Sequence, residues 1–231
     1  TFAAADSICT HAKSGSAFLF SRRHEGIMEI EVTGVLLAGG KSRRMGEDKR
    51  YLVVGEQTLL QRGLSVLHSI FQEVLVVIAK DSDPLGVDAR VVRDQVPDCG
   101  SLGGLYTGLI QATTPWIFVV ACDMPFLNHA VIAQFTNRRG AVDIVMAKLA
   151  GQLHPMHALY GKRCLPVVEQ MIQARQLKIQ EMVSQSSLRV QYVTEEDLFT
   201  LDPSWRSFYN VNTVAELEAA RLLLTRVPPS G

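Results

Sequence analysis

Thr33-Gly-Val-Leu-Leu-Ala-Gly-Gly-Lys-Ser-Arg-Arg-Met-Gly-Glu-Asp-Lys49 is the stretch on which the reading of the fold turns. Thr33 to Leu37 is a short apolar run that stops at Ala38-Gly39-Gly40, as a buried strand does where it opens into a loop. Paired glycines let the backbone come close to an anion and turn several N–H groups toward it. Residues 41–50 then carry five basic side chains (Lys41, Arg43, Arg44, Lys49, Arg50) against two acids, Glu47 and Asp48. That is the local concentration of positive charge a triphosphate requires, or else the solvated basic rim of a Gly-rich turn. Gly40-Lys41-Ser42 looks like the end of a Walker A motif, but that motif needs its first glycine where Val35 stands. Gly34 is one residue too far away and precedes the strand, so the P-loop reading is rejected.

Outward from this loop, strand-like and helix-like runs alternate. Lys49 to Val54 ends at the turn signal Gly55-Glu56, and Leu60, Leu64, Leu67 and Phe71 recur at helical spacing. Val74 to Ala79 is apolar at consecutive positions, which fits a strand buried on both faces of a parallel sheet. Arg90 to Arg93 reads as a short strand, with Leu102, Leu105 and Leu109 marking a helix after it. Trp116 to Ala121 is the most apolar run and reads as a central strand. Val131 and Phe135 suggest a further helix, and Asp143 to Lys148 a further strand. Thr213-Val-Ala-Glu216 has capping-box form ahead of Leu217, Ala220 and Leu224. The alternation predicts an α/β fold: one Rossmann-like domain, with an open, mostly parallel sheet and helices on both faces. In such sheets ligands sit outside the carboxyl ends of the strands. Chemistry is therefore expected just after Leu37, Arg93 and Ala121.

Two more loops answer to that expectation. In Asp94-Gln-Val-Pro-Asp-Cys-Gly-Ser-Leu-Gly-Gly104, Gly100, Gly103 and Gly104 would permit close approach of a base or ribose. Asp94, at the strand end, is placed to accept hydrogen bonds from ligand hydroxyls or else to cap the turn. In Cys122-Asp123-Met124-Pro125 a lone carboxylate follows the buried strand. Asp123 is either a ligand of a hard cation such as Mg²⁺, which takes one or two carboxylates plus phosphate oxygens, or a turn former before Pro125. His154 and His157 lack nearby partners for a zinc set, which leaves substrate contact or core hydrogen bonding. Asn210 and Asn212 precede the last helix, where Asn212 or Thr213 can cap it.

Composition narrows the class. The chain has 231 residues, 47% of them hydrophobic, and Lys plus Arg equal Asp plus Glu at 23 each. No global basic field argues for nucleic acid, and no apolar run approaches the roughly 20 residues of a membrane span. Four scattered cysteines without C-x-x-C spacing suit a reducing compartment, so a cytoplasmic protein is expected. Residues 1–27 lack any sustained period and precede Met28; they are expected to be a disordered leader or upstream sequence, with 28–231 as the domain.

The run from Leu37 to Lys49, the Gly-Ser-Leu-Gly-Gly loop, Cys-Asp-Met-Pro, His154-Pro155 and Asn210-Val-Asn-Thr213, in that order and spacing, resemble the MobA family of molybdenum cofactor guanylyltransferases. The resemblance spans roughly residues 32–225. It implies a Rossmann-like nucleotidyltransferase fold, Mg²⁺ as cofactor, and transfer of GMP from GTP to molybdopterin with release of pyrophosphate. It implies nucleotide binding by Leu37, Ala38, Gly39, Gly40, Lys49, Asp94, Gly100 and Asp123, with Asp123 on the metal. Lys49, Arg44 and Asp123 are the expected catalytic residues, and His154, Asn210 and Asn212 the expected pterin contacts. Molybdoenzyme-specific chaperones are the implied protein partners. Two departures stand out. Val77 and Ile78 occupy a stretch after which some members carry an asparagine, and Gly-Ser-Leu-Gly-Gly replaces the more usual Gly-Pro-Leu-Ala-Gly. Gly39-Gly40 favours guanine over the cytidylyltransferase relatives, which usually show Leu-Ala-Ala-Gly. The alternatives are a cytidylyl- or sugar-phosphate nucleotidyltransferase of the same fold and a non-catalytic nucleotide-binding regulator. The regulator should lack the lysine or the metal aspartate, and both are present.

Overall fold

A computed structural model describes residues 31–39 and 48–225. The segment 1–27, Gly40 and Arg44 lie outside the described residues. In chain order the elements are β1 (Val32–Leu37), a small hairpin of β2 (Val53–Val54) and β3 (Gln57–Thr58), α1 (Leu59–Ile70), β4 (Val74–Ile78) and β5 (Arg90–Arg93). Then come α2 (Gly100–Gln111), β6 (Trp116–Ala121), α3 (His129–Thr136), β7 (Ile144–Leu149), β8 (Gln152–Gly161), α4 (Leu165–Gln173), β9 (Val190–Val193), α5 (Glu195–Leu198) and α6 (Val214–Thr225).

Seven strands form one sheet in the order β5-β4-β1-β6-β8-β7-β9. β5, β4, β1 and β6 are mutually parallel, while β8 runs antiparallel to both β6 and β7, and β9 is parallel to β7. Within this sheet β8 alone is reversed, so the mostly parallel sheet expected from the sequence is found. Period-two alternation explains how both faces are covered. Leu36, Val76, Phe118 and Val120 join the core under α1, α3 and α6, whereas Val35, Leu75, Val77, Ile117 and Val119 join the one under α2 and α4. The strands buried on both faces are therefore apolar at consecutive positions.

Local signals set the helix starts. Thr58 and Gln61 form a reciprocal capping box at α1: Gln61 N donates to Thr58 Oγ1 at 3.2 Å and Thr58 N to Gln61 Oε1 at 2.9 Å. Leu60, Leu64 and Leu67 then face the sheet, each buried, and full burial of a leucine is worth about 1.5–3 kcal/mol. The box expected at Thr213 and Glu216 is present: Glu216 N donates to Thr213 Oγ1 at 3.2 Å and Thr213 N to Glu216 Oε2 at 2.8 Å.

The elements between β7 and α6, namely β8, α4, β9 and α5, were not foreseen from the sequence. The β7–β8 pairing shifts register between Met146 and Ala147, which face Ala158 and His154 respectively. Pro155, Met156 and His157 thus form an irregularity, at a proline that cannot donate to the ladder. The Pro155 carbonyl accepts from the buried Tyr160 hydroxyl at 2.8 Å.

Candidate functional site

A cleft of about 950 Å³ opens where β5, β4, β1 and β6 end. Leu37, Ala38 and Gly39 enter it from the loop after β1. The backbone there is fixed by neighbouring strands, with Ala38 N donating to Val77 O at 2.8 Å and Cys122 N to Leu37 O at 3.0 Å. Gly39 has a direct reason to be glycine: a Cβ would stand 3.0 Å from Ala79 N.

Lys49 and Asp123 meet across the cleft. Lys49 begins a short 3-10 turn whose N-cap is Asp48, and its Nζ lies 3.2 Å from Asp123 Oδ2 and 2.8 Å from Asn212 Oδ1. Asp123 follows β6 and is held by its own carbonyl, which accepts from Val211 N at 2.9 Å. Thr213 caps α6, and the Asn212 side chain is committed to Lys49 instead.

Asp94 and Gly100 line the opposite wall. Asp94 Oδ1 accepts from Val96 N at 2.9 Å and Thr107 Oγ1 at 3.2 Å, so the carboxylate does build the turn. Burial pushes its carboxyl above the ordinary value, against those two hydrogen bonds. The three glycines of this loop divide. Gly100 takes φ +57° at the start of α2 with open space where a Cβ would point. At Gly103 a Cβ would collide with Val96 O at 2.6 Å and approach Asp94, and at Gly104 it would press on Leu37. Gly103 therefore makes room for the protein's own turn rather than for a base, which corrects the expectation drawn from the three glycines together.

In the described part of the first loop, Arg50 and Asp48 pair with each other. Arg50 Nε donates to both Asp48 oxygens at 2.9 and 2.8 Å, and Nη2 reaches Oδ2 at 2.5 Å. The guanidinium holds the Asp48 carboxyl below its usual range. Their charges cancel each other and leave Lys49 as the cation aimed at Asp123. Cys122, beside them, has its thiol pushed up to about 12 by burial and by the neighbouring Asp123, so it is no nucleophile.

His154, Asn210 and Asn212 do not line this cleft, though Asn212 reaches Lys49 at its edge. The Asn210 amide donates to Phe208 O at 3.2 Å, and the His154 ring stands 5.0 Å from the Phe208 ring. His157 is core: its ring lies 5.2 Å from Phe118, 5.3 Å from Phe135 and 4.5 Å from Phe208. Neither ring nitrogen finds a hydrogen-bond partner. Its pKa is pushed down to about 3, chiefly by burial, with the Ser207 backbone nearby but short of hydrogen-bond geometry. The expected core hydrogen bond is absent; aromatic packing takes its place. Sequence reasoning missed three contributors to the cleft: Met156 at the β8 irregularity, and Lys80 and Asp81 just past β4. Pro155 inside an apolar stretch was the available signal for the first. Adjacency of the carboxyl ends of β1 and β4 was the signal for the others.

No set of three or more His, Cys, Asp or Glu side chains converges among the described residues. A divalent cation here would lean on Asp123 together with phosphate oxygens and water, the manner of Mg²⁺ rather than of a protein-only cage. The lone carboxylate on a rigid strand end, already paired with a cation, fits that ion.

A parallel sheet edge carrying a glycine loop, a lysine and a strand-end aspartate defines the class: a nucleotidyltransferase domain of Rossmann-like architecture. Residues 34–190 match the family described as MobA-like NTP transferase domain, and the chain belongs to that family. It is similar to a molybdenum cofactor guanylyltransferase of Desulfosudis oleivorans, 34% identical over 82% of this chain and 94% of the relative. The corresponding protein of Syntrophotalea carbinolica is 30% identical over 82% and 90%. The solved structure of molybdopterin-guanine dinucleotide biosynthesis protein A from Archaeoglobus fulgidus shares the fold, with a TM-score of 0.72, 24% identity, and coverage of 84% of this chain and 100% of that one.

Proposed function

We propose that this chain transfers GMP from GTP to molybdopterin, forming the guanine dinucleotide cofactor and pyrophosphate. The observation that carries the reading is the Lys49–Asp123 pair at 3.2 Å inside the cleft of a MobA-like NTP transferase. Relatives that bear the guanylyltransferase name, aligned over most of their own length, support guanine and molybdopterin as the substrates.

In the reaction a phosphate oxygen of molybdopterin forms a bond to the α-phosphorus of GTP. The bond from that phosphorus to the bridging oxygen breaks, and pyrophosphate leaves with the electron pair. The attacking phosphate is an anion near neutral pH, so the protein needs no strong general base. Its task is to align the two phosphates and neutralise charge. The ammonium of Lys49 offsets charge growing on the leaving pyrophosphate. Arg44 and the backbone of Leu37 to Gly40 are proposed to share that role. Asp94 and Gly100 form the wall proposed for the nucleoside. Asp123 is the proposed holder of Mg²⁺, which when bound would supply charge neutralisation at the phosphate oxygens. His154, Asn210 and Asn212 are proposed to meet the pterin, and of the three Asn212 stands beside Lys49. A cytoplasmic setting belongs to the proposal. Cys99, Cys122 and Cys164 are free thiols, and no helix among the described residues is long and apolar enough to cross a membrane.

The test is incubation with molybdopterin, Mg²⁺ and GTP, CTP or ATP in separate reactions, followed by mass analysis. A molybdopterin–GMP adduct formed from GTP alone is expected. An adduct only from CTP moves the chain to cytidylyl transfer, and no adduct from any nucleotide overturns the proposal.

A further inference from the structure

A second concavity of about 400 Å³ lies between α1, the chain from Pro125 to His129, and the turn at residues 202–207. It shares no lining residue with the nucleotide cleft. Two guanidinium groups line it, and neither has an acid partner among the described residues. Arg62 is partly buried; its Nε donates to Pro125 O at 3.0 Å and its Nη1 to Val54 O at 3.2 Å, with no ion pair among the described residues. A guanidinium has five N–H groups, so most of Arg62's donors remain. Burial alone lowers its pKa, unopposed by any carboxylate. Arg206 spends its backbone N–H on Asp202 Oδ1 at 2.9 Å, and its side chain makes no hydrogen bond or ion pair among the described residues. The Ser207 hydroxyl, on the same wall, is buried without a partner. His129 completes that side, with Nε2 against Ser69 Oγ at 2.5 Å.

One carboxylate also lines the concavity. Asp202 accepts from Arg206 N at 2.9 Å through Oδ1 and from Ser207 N at 2.8 Å through Oδ2, so both its oxygens already serve the backbone. Cations sheltered from water are as a rule paired, because leaving them bare costs free energy. Among the described residues this concavity gathers two guanidinium groups around one carboxylate, whose oxygens both serve the backbone.

We propose that this concavity is an anion site that takes a phosphate group, free or as a monoester, between the guanidinium groups of Arg62 and Arg206. Planar guanidinium forks match phosphate oxygens two at a time. Val66 and Phe126, partly buried apolar residues in the same wall, would receive the organic part of an ester. Arg62 also holds the carbonyl of Pro125, two residues past Asp123, so occupancy bears on the loop that presents the cleft's carboxylate.

The test is a titration of the ¹⁵N-labelled full chain with inorganic phosphate and, separately, phenyl phosphate, following the arginine Nε–Hε signals. Signals of Arg62 and Arg206 are expected to shift on one isotherm, and to do so equally in Lys49→Ala, which separates this site from the nucleotide cleft. Arg206→Glu should weaken the binding by about tenfold or more, the loss of one charge-assisted contact, with melting temperature and GTP affinity unchanged. Arg62→Gln should also weaken phosphate binding; because Arg62 holds Pro125 and the β2–β3 hairpin as well, the Arg206→Glu arm decides. Tighter binding of phenyl phosphate identifies an ester as the ligand, and equal affinities identify free phosphate. Silent arginine signals, or a wild-type isotherm in Arg206→Glu, overturn the proposal.

Discussion

The two sides of the sheet differ in how their strands run, and the cleft lies at one of them. β5, β4, β1 and β6 are parallel, so their carboxyl ends deliver four loops to a single edge, and every predicted nucleotide contact among the described residues lines the cleft there. Beyond β6 the reversed β8 carries its ends the other way, and that side is filled with Phe118, Phe135, Phe208 and the imidazole of His157. β7 and β9 run the same way as β6, so the cleft marks the place where four neighbouring parallel strands end side by side, a run that β8 interrupts. The second side reaches the cleft in two places, through Met156 at the β8 irregularity and through the Val211–Asn212 return.

If that contrast is correct, substitutions on the parallel side should cost activity and those in the aromatic cluster should cost stability. The largest effect is expected at Asp123. Asp123→Asn keeps shape but removes the charge that a hard cation prefers. Transfer should fall by about 10³-fold with an unaltered melting temperature, read as turnover across a Mg²⁺ titration. A near-normal rate with unchanged Mg²⁺ dependence would return Asp123 to the role of a turn former. Lys49→Ala should follow, with a loss of about 10²-fold. Lys49→Arg should recover only part of it, since a planar fork does not replace a compact ammonium. Full activity in the alanine variant would take Lys49 out of the mechanism.

Asn212→Ala sharpens the comparison, because this side chain arrives from beyond β6 but holds Lys49 at 2.8 Å. Removing that acceptor should lower turnover by about tenfold, the equivalent of one hydrogen bond to a charged group. Steady-state kinetics with GTP as the varied substrate would check it, and an unchanged rate would make the contact incidental.

The smallest effect at neutral pH is expected from His157→Phe, with turnover unaltered. Its acid limb should differ. His157 has a folded pKa near 3, below the unfolded value near 6.5, so the unfolded chain binds more protons between those limits. The wild type therefore holds its full stability above about pH 6.5 and loses up to about 1.4 kcal/mol per pH unit as the pH falls toward 3. Phenylalanine removes that term, so acid unfolding followed by circular dichroism should begin at lower pH in the variant. An identical acid midpoint would show that the imidazole does not govern that limb.

The same contrast explains what the sequence disclosed. Consecutive apolar positions in β1, β4 and β6 are readable because burial on both faces leaves no room for polar alternation. The loops that follow bear glycines and lone acids, whose chemistry shows in one dimension. β8 was hidden because Gln152, His154, Pro155 and His157 interrupt its pattern, and each is accommodated by an irregularity or by aromatic packing that only the third dimension supplies. The count of charges in the first loop could not show that Arg50 pairs with Asp48, two residues earlier, because that pairing depends on the turn that Asp48 caps. Gly103 and Gly100 look alike in sequence and part company only when Asp94 folds beneath one of them.

The Lys49–Asn212 contact spans 163 residues of chain. A polypeptide emerging from the ribosome at about 5–20 residues per second would present Lys49 roughly 10–30 s before Asn212 exists. The parallel strands and the carboxylate after β6 can assemble in that interval, but the lysine must wait for residue 212 before that partner appears. A nascent chain stalled short of residue 212 would carry a cleft without its clasp.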